Sequence, residues 1–145
     1  MSEAIAQAMD RFEIPEGHEK FMFCLPAFYV AKADGKVSLK EAMSIIWNSM
    51  MLGLIKPSGS EKKAFESFAQ AKFLQFQGKR NLDDFRILAD AINAKLAEYS
   101  EEMVLEIRQT IRQTCEKVAA ASGPMFREKV LPEEREMLDE IFASI

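Results

Sequence analysis

The acidic and hydroxyl side chains between residues 34 and 41 could together bind a divalent cation. Asp34 begins the pattern Asp-Gly-x-x-Ser-x-x-Glu, in which Ser38 and Glu41 follow. Carboxylate and hydroxyl oxygens suit Ca²⁺ and Mg²⁺, and carboxylates also bind Zn²⁺. The segment offers two carboxylates and one hydroxyl, whereas Ca²⁺ takes about six to eight oxygen ligands. A complete cation site would therefore need residues from elsewhere in the chain.

The same residues also form a helix junction that needs no ligand. Gly35 can adopt positive φ without steric cost and so can end a helix. Ser38 and Glu41 have the Ser-x-x-Glu spacing of a capping box, and Val37 could pack across it as a hydrophobic staple. The pattern matches only the latter half of an EF-hand loop, because Val30 and other non-ligand residues occupy the earlier ligand positions. This structural interpretation is favoured over the cation site.

Three other side chains could do chemistry but lack suitable neighbours in the sequence. His18 is the only histidine, and no cysteine pair flanks it. Cys24 and Cys115 both lie within apolar helical patterns and form no Cys-x-x-Cys motif, which predicts inert core thiols. The sequence therefore predicts a protein that is not an enzyme, with a pocket joining His18 to an acid or a thiol as the alternative.

Composition limits the class of protein. The chain has 145 residues with a net charge of −4, 11 Phe and 9 Met, but only 6 Gly and 5 Pro. This length suits a single domain, 1–145. The mixed charges argue against a nucleic-acid surface, which needs a basic stripe. The N-terminal residues have neither the basic region nor the apolar core of a signal peptide, which predicts a cytoplasmic protein.

Hydrophobic periodicity predicts an all-α bundle of about seven helices. The second is a central helix, residues 18–33, buried on every side and kinked or broken at Pro26. The first helix is expected from Ser2 to Asp10, the third from Ser38 to Leu52 with Gly53 as its stop, and the fourth from a cap at Ser60 to Gly78 with the apolar residues Phe65, Phe68, Phe73 and Phe76. The fifth is expected to begin after a cap at Asn81 and to carry Leu82, Phe85, Ala89, Ile92 and Leu96. The last two are expected to begin at Ser100, with Met103, Ile107, Ile111, Cys115 and Val118, and at Pro132, with Met137, Leu138, Ile141 and Phe142.

The abundant Met and Phe residues have two interpretations. They fill irregular helical cores, and they also line adaptable grooves for partner helices. Core filling is the default, so Met43, Ile46, Trp47 and Met50 are expected to point inward. Residues 50–52 and the pair Met125 and Phe126 are the expected docking points if they prove exposed.

The end of the chain resembles its first half. Val30-Ala31-Lys32-Ala33-Asp34-Gly35 is similar to Val118-Ala119-Ala120-Ala121-Ser122-Gly123, and Val37-Ser38-Leu39-Lys40-Glu41 to Val130-Leu131-Pro132-Glu133-Glu134. The second copy inserts residues 124–129. This echo predicts a pseudo-duplicated helix-turn-helix arrangement.

These two turns resemble those of the tellurite-resistance TerB family, which includes the N-terminal domain of a membrane-anchored DnaJ-like co-chaperone. The resemblance covers both turns, and the middle of the chain matches only in helical character. It implies a small duplicated helical module of bacterial stress responses, with a divalent metal at its acidic turns. Carried over, Asp34 and Glu41 match the first turn and Glu134 the second. Ser122 departs from the expected Asp.

Two functions from different classes follow. The first is a non-catalytic TerB-like stress-response module that binds a divalent cation (Ca, Mg or Zn) at Asp34, Glu41 and Glu134. The alternative is a helical protein-protein interaction module without metal. Either would have a protein partner, and the resemblance leaves peripheral association with a membrane complex open.

Overall fold

One apolar segment lies at the centre of the protein and is buried along its whole length. In a computed structural model of the chain, every residue from Phe21 to Ala31 is buried. The segment begins as a 3₁₀ helix, Glu19–Cys24, and continues as an α-helix, Leu25–Ala31. The expectation of a central helix surrounded by protein is confirmed.

Pro26 marks the change between these two helical forms. It lies in the first turn of the α-helix, where its missing amide hydrogen would have had no intrahelical acceptor. The expected break at Pro26 is confirmed, and its physical reason is that proline is tolerated at a helix start and not within one.

The structure describes residues 2–34, 38–56, 58–76, 82–121 and 132–145. Over these residues the fold is all-α, with seven α-helices and no strand. The helices are α1 (Glu3–Arg11), α2 (Leu25–Ala31), α3 (Leu39–Met51), α4 (Gly59–Gln75), α5 (Leu82–Leu96), α6 (Glu101–Ala121) and α7 (Pro132–Ser144), and a second 3₁₀ helix, Lys32–Asp34, follows α2. Within these ranges, no helix is long and apolar enough to cross a membrane.

The other helices pack around α2. Helices α3, α5, α6 and α7 all contact it, while α1 lies mainly on α5. Tyr29 of α2 is 1% exposed, and its ring makes edge contacts with Phe76 and Phe85 at centroid distances of 5.0 and 5.2 Å. Such edge-to-face pairs stabilise a core beyond their buried area. Aromatic residues from the C-terminal cap of α4 and from α5 thus meet on the central helix.

Helix α3 turns a different face inward from the one predicted. Its buried residues include Ala42, Ile45 and Ser49, whereas Met43 and Trp47 are 61% and 62% exposed. The prediction that Met43 and Trp47 point inward was wrong. The reason is that small residues at 42 and 49 let the helix approach its neighbours closely, whereas a Met and Trp face would hold it away.

Smaller differences concern helix ends and the last part of the core. Helix α4 is capped by Ser58 rather than Ser60, and Met103 is 44% exposed instead of continuing the inward stripe of α6. Gly53 ends α3 as expected, with a φ of +86° that suits glycine. The expected Gly78 stop, the Asn81 cap and the pair Met125 and Phe126 lie outside the described residues.

The predicted duplication concerns the turn between α6 and α7. Residues 122–131, which form most of the second copy of the turn, are outside the described part of the chain. The duplication therefore stays a prediction from the sequence. The helices on either side of that turn do pack against each other.

Candidate functional site

The capping box at the start of α3 has formed. The Glu41 amide donates to Ser38 Oγ at 3.1 Å, and the Ser38 amide donates to Glu41 Oε1 at 2.9 Å. Two amides that a helix N-terminus leaves without intrahelical acceptors are thereby satisfied. The local structure around Ser38 is explained without any ligand.

Glu41 is the one predicted metal-binding side chain that the structure describes. It is only 2% exposed, and its Oε1 is held by the Ser38 amide. A cation bound at Glu41 would have to compete with this hydrogen bond for Oε1 or bind the other carboxylate oxygen. The carboxylate is thus positioned primarily as a helix cap.

The other two predicted ligands are placed only by their backbone. The side chains of Asp34 and Glu134 are outside the described part of the structure. The 3₁₀ helix that ends at Asp34 packs against α7, the helix that carries Glu134. The fold therefore places the segment that ends at Asp34 beside the helix that carries Glu134.

The described side chains do not form a metal centre by themselves. Among them, no three His, Cys, Asp or Glu residues come together in a group that could hold a metal ion. Because this search covers neither Asp34 nor Glu134, the predicted site of Asp34, Glu41 and Glu134 stays a prediction.

His18 and the two cysteines occupy structural positions. The His18 ring stacks on Phe21 at a centroid distance of 4.8 Å, at the start of the central segment. Cys24 and Cys115 are both buried and free. Burial raises the pKa of Cys24 to about 12 and raises that of Cys115 as well. Because the thiolate is the nucleophile, these thiols are chemically inert in the folded protein.

A row of exposed apolar side chains along α3 was missed by sequence reasoning except at its end, where Met51 of the expected docking residues 50–52 is exposed while Met50 and Leu52 are partly buried. Leu39, Met43, Trp47 and Met51 follow one another at intervals of four residues, and they are 67%, 61%, 62% and 62% exposed. Side chains four apart lie on the same face of a helix, so they form one surface, which we call the α3 stripe. The signal in the sequence is that α3 has apolar residues on two faces. Packing against the core can bury only one of them.

Helix α3 itself carries little charge. Helix α3 is described from end to end, and its only charged residues are Lys40 and the buried Glu41. Ile46 and Met50, which flank the stripe, are partly buried against the core. The stripe is therefore continuous with the apolar interior along one side.

Comparisons of the chain with protein-family models, curated proteins and solved structures found no match. The resemblance to the TerB family accordingly rests on the residues of the two turns alone.

The capping box predicts a measurable contribution to stability. Ser38→Ala should lower the free energy of unfolding by about 1 kcal/mol, because the Glu41 amide loses its acceptor. Ser58→Ala is the matched control, since Ser58 is also an N-cap residue but its side chain makes no capping hydrogen bond. Urea unfolding followed by circular dichroism should show the control within about 0.5 kcal/mol of the parent. Equal losses in both variants would contradict the assignment.

Proposed function

We propose that this protein is a non-catalytic helical interaction module that docks partners through the α3 stripe. The observation that carries the proposal is the exposure of Leu39, Met43, Trp47 and Met51, each more than 60% exposed on one face of one helix. Within the described part of the protein every Phe and Tyr side chain is buried or partly buried, so Trp47 is exceptional among the large aromatic residues in being exposed.

The size of the stripe supports a docking role. Four large apolar side chains exposed to this degree present on the order of 400 Å² of contiguous apolar surface, and patches of that size on monomeric proteins are often functional. Trp and Met are enriched at protein interfaces, and flexible Met side chains adapt to different partner shapes. Isolated exposed residues such as Leu74 need no such explanation.

The charge of α3 and of the whole chain favours a protein partner over other macromolecules. Nucleic acid and anionic membrane surfaces are bound through clusters of Lys and Arg. Lys40 is the only basic residue of α3, and the whole chain carries a net charge of −4. An apolar helix face on another protein fits this surface better than a polyanion does.

The biological setting of the proposal comes from the resemblance of the turns. TerB-like proteins imply a bacterial stress response, and we carry that setting, and a cytoplasmic location, as part of the proposal. No described residue accounts for handling tellurite itself.

Site-specific photo-crosslinking tests the docking proposal directly. With p-benzoylphenylalanine replacing Trp47, ultraviolet irradiation of living cells should give a discrete protein adduct, because the benzophenone would lie within the interface. The same substitution at Leu74 is the control, since Leu74 is 71% exposed but lies on a different helix, α4. Adding Met43→Glu should reduce the adduct at position 47 at least about tenfold, because docking would desolvate the new charge.

The pattern of adducts decides the outcome. Adducts of equal yield from positions 47 and 74, or an adduct at 47 that Met43→Glu leaves unchanged, would show random collision and would refute docking through the stripe.

A second candidate function is cation binding at the acidic turn. It is favoured by the buried Glu41 carboxylate and by the packing of the 3₁₀ helix ending at Asp34 against α7. In this proposal Asp34, Glu41 and Glu134 bind Ca²⁺, Mg²⁺ or Zn²⁺ across the two halves. The cation would then link two elements of the fold, as expected for a stress-response sensor.

Thermal unfolding tests the cation proposal. A cation that binds only the folded state stabilises it by about 2.7 kcal/mol at one hundred times its dissociation constant. The metal-stripped parent should therefore melt higher with one of the three cations, and Asp34→Ala should abolish the rise. Asp34 is the better variant because changing Glu41 would also break the capping box. Asp90→Ala, which removes an exposed charge on α5, should keep the rise. The cation proposal fails if no cation raises the parent's melting temperature.

A further inference from the structure

We infer that one occupant of the α3 stripe is a second copy of this chain, with the two α3 helices packed antiparallel about a twofold axis. This inference rests on the proposed docking function and names its partner. It is carried by the shape, the hydrogen bonding and the charge of α3 itself.

The stripe forms a ridge with a groove beside it. Residues 39, 43, 47 and 51 make one row of side chains spaced by four. Rows of this kind on two helices interdigitate at a crossing angle of about 50°, the commonest class of helix packing. The neighbouring row contains Lys40, Ser44 and Asn48. Ser44 and Asn48 are smaller than Met43 and Trp47 of the ridge. A ridge of Met43 and Trp47 on one copy can therefore enter the groove of the other.

The side-chain nitrogen of Asn48 in this groove already has acceptors within its own helix. Asn48 Nδ2 donates to the Ser44 carbonyl at 2.8 Å and to Ser44 Oγ at 3.0 Å. Covering a polar side chain is costly when its hydrogen bonds to water are lost without replacement. Because the Asn48 amide is bonded along α3, an apolar ridge can cover it without leaving these donors unpaired.

The charges of α3 select the antiparallel orientation. Lys40 lies in the first turn, and the last turn has no basic residue. The carbonyls at a helix C-terminus carry partial negative charge that attracts cations. Antiparallel packing places each Lys40 near the C-terminal end of the other α3, whereas parallel packing would bring the two Lys40 side chains together. The positive Lys40 at the start of one α3 therefore complements the partly negative C-terminal end of the other α3.

The expected contact is small. The four side chains of each stripe, with the flanking Ile46 and Met50, would bury on the order of 1,000 Å² over both copies, at the low end for specific protein complexes. We therefore expect a weak dimer in rapid exchange with the monomer. Such an association leaves the stripe accessible to other proteins at low concentration.

Sedimentation velocity and Trp47 emission over a range of protein concentrations test this inference. The parent should change from monomer to dimer, with the emission of Trp47 moving to shorter wavelength over the same range. Trp47 is the only tryptophan in the chain, so this emission reports on the stripe. Met43→Glu should raise the dissociation constant at least about tenfold, and Leu74→Glu, which adds the same charge to an exposed position on α4, should leave it unchanged.

Substitution of Lys40 tests whether the two α3 helices pack antiparallel. Lys40→Glu should weaken the dimer, and salt should lessen the difference from the parent, because the new carboxylate would lie beside the partly negative end of the partner helix. In a parallel dimer both copies would carry the new carboxylate, so one like-charge contact would replace another. The neutral variant Lys40→Gln separates the orientations, because it should weaken an antiparallel dimer but tighten a parallel one, which would lose its Lys40–Lys40 repulsion.

The outcomes separate this inference from the docking proposal. A chain that stays monomeric at every concentration overturns the second copy as partner. If position 47 then crosslinks to a protein of another mass, docking through the stripe stands and only the self-association fails. If the emission of Trp47 shifts with neutral lipid vesicles but not with protein concentration, the occupant is a membrane surface and the inference is wrong. A dimer that Met43→Glu leaves intact would form through another surface and would also refute it.

Discussion

Burial of residues 21–31 on every side is the constraint from which the rest of the arrangement follows. A segment without a polar face can be stable in water only if other elements surround it. Helices α3, α5, α6 and α7 provide that cover, and the aromatic rings of Phe76 and Phe85 close on Tyr29. The same burial makes Cys24 inert by raising its thiol pKa. The central segment is thus occupied by packed apolar side chains.

The way α3 covers this centre leaves the candidate interaction surface outside. The capping box between Ser38 and Glu41 fixes where the helix begins. Ala42 and Ser49 then let it pack closely, while Ile45 fills the core. Because this face packs against the core, the row of Met43 and Trp47 on the other side of the helix stays exposed. One short helix therefore both seals the core and presents an apolar surface.

Much of this could be predicted from the sequence because local rules decided it. The apolar run around Phe28 required burial, Pro26 required a break, and the Ser-x-x-Glu spacing required a capping box. The phase of α3 could not be predicted, because its apolar residues cover two faces and only tertiary packing selects between them. The α4 cap was misplaced for a related reason: Ser58 and Ser60 are both suitable caps, and the choice depends on how the preceding loop enters. The proposed cation site would depend on side chains of two distant turns, which no local pattern can place together.

We propose that the α3 stripe contributes to recognition and not to the stability of the fold. The unfolding free energy of Trp47→Glu, followed by circular dichroism at a protein concentration low enough to keep the chain monomeric, tests it most directly. If Trp47 lies outside the core, the variant should remain within about 0.5 kcal/mol of the parent, as is usual for surface substitutions. A loss of about 3 kcal/mol or more, as expected for truncating a buried aromatic side chain, would show that Trp47 belongs to the core and would contradict the account.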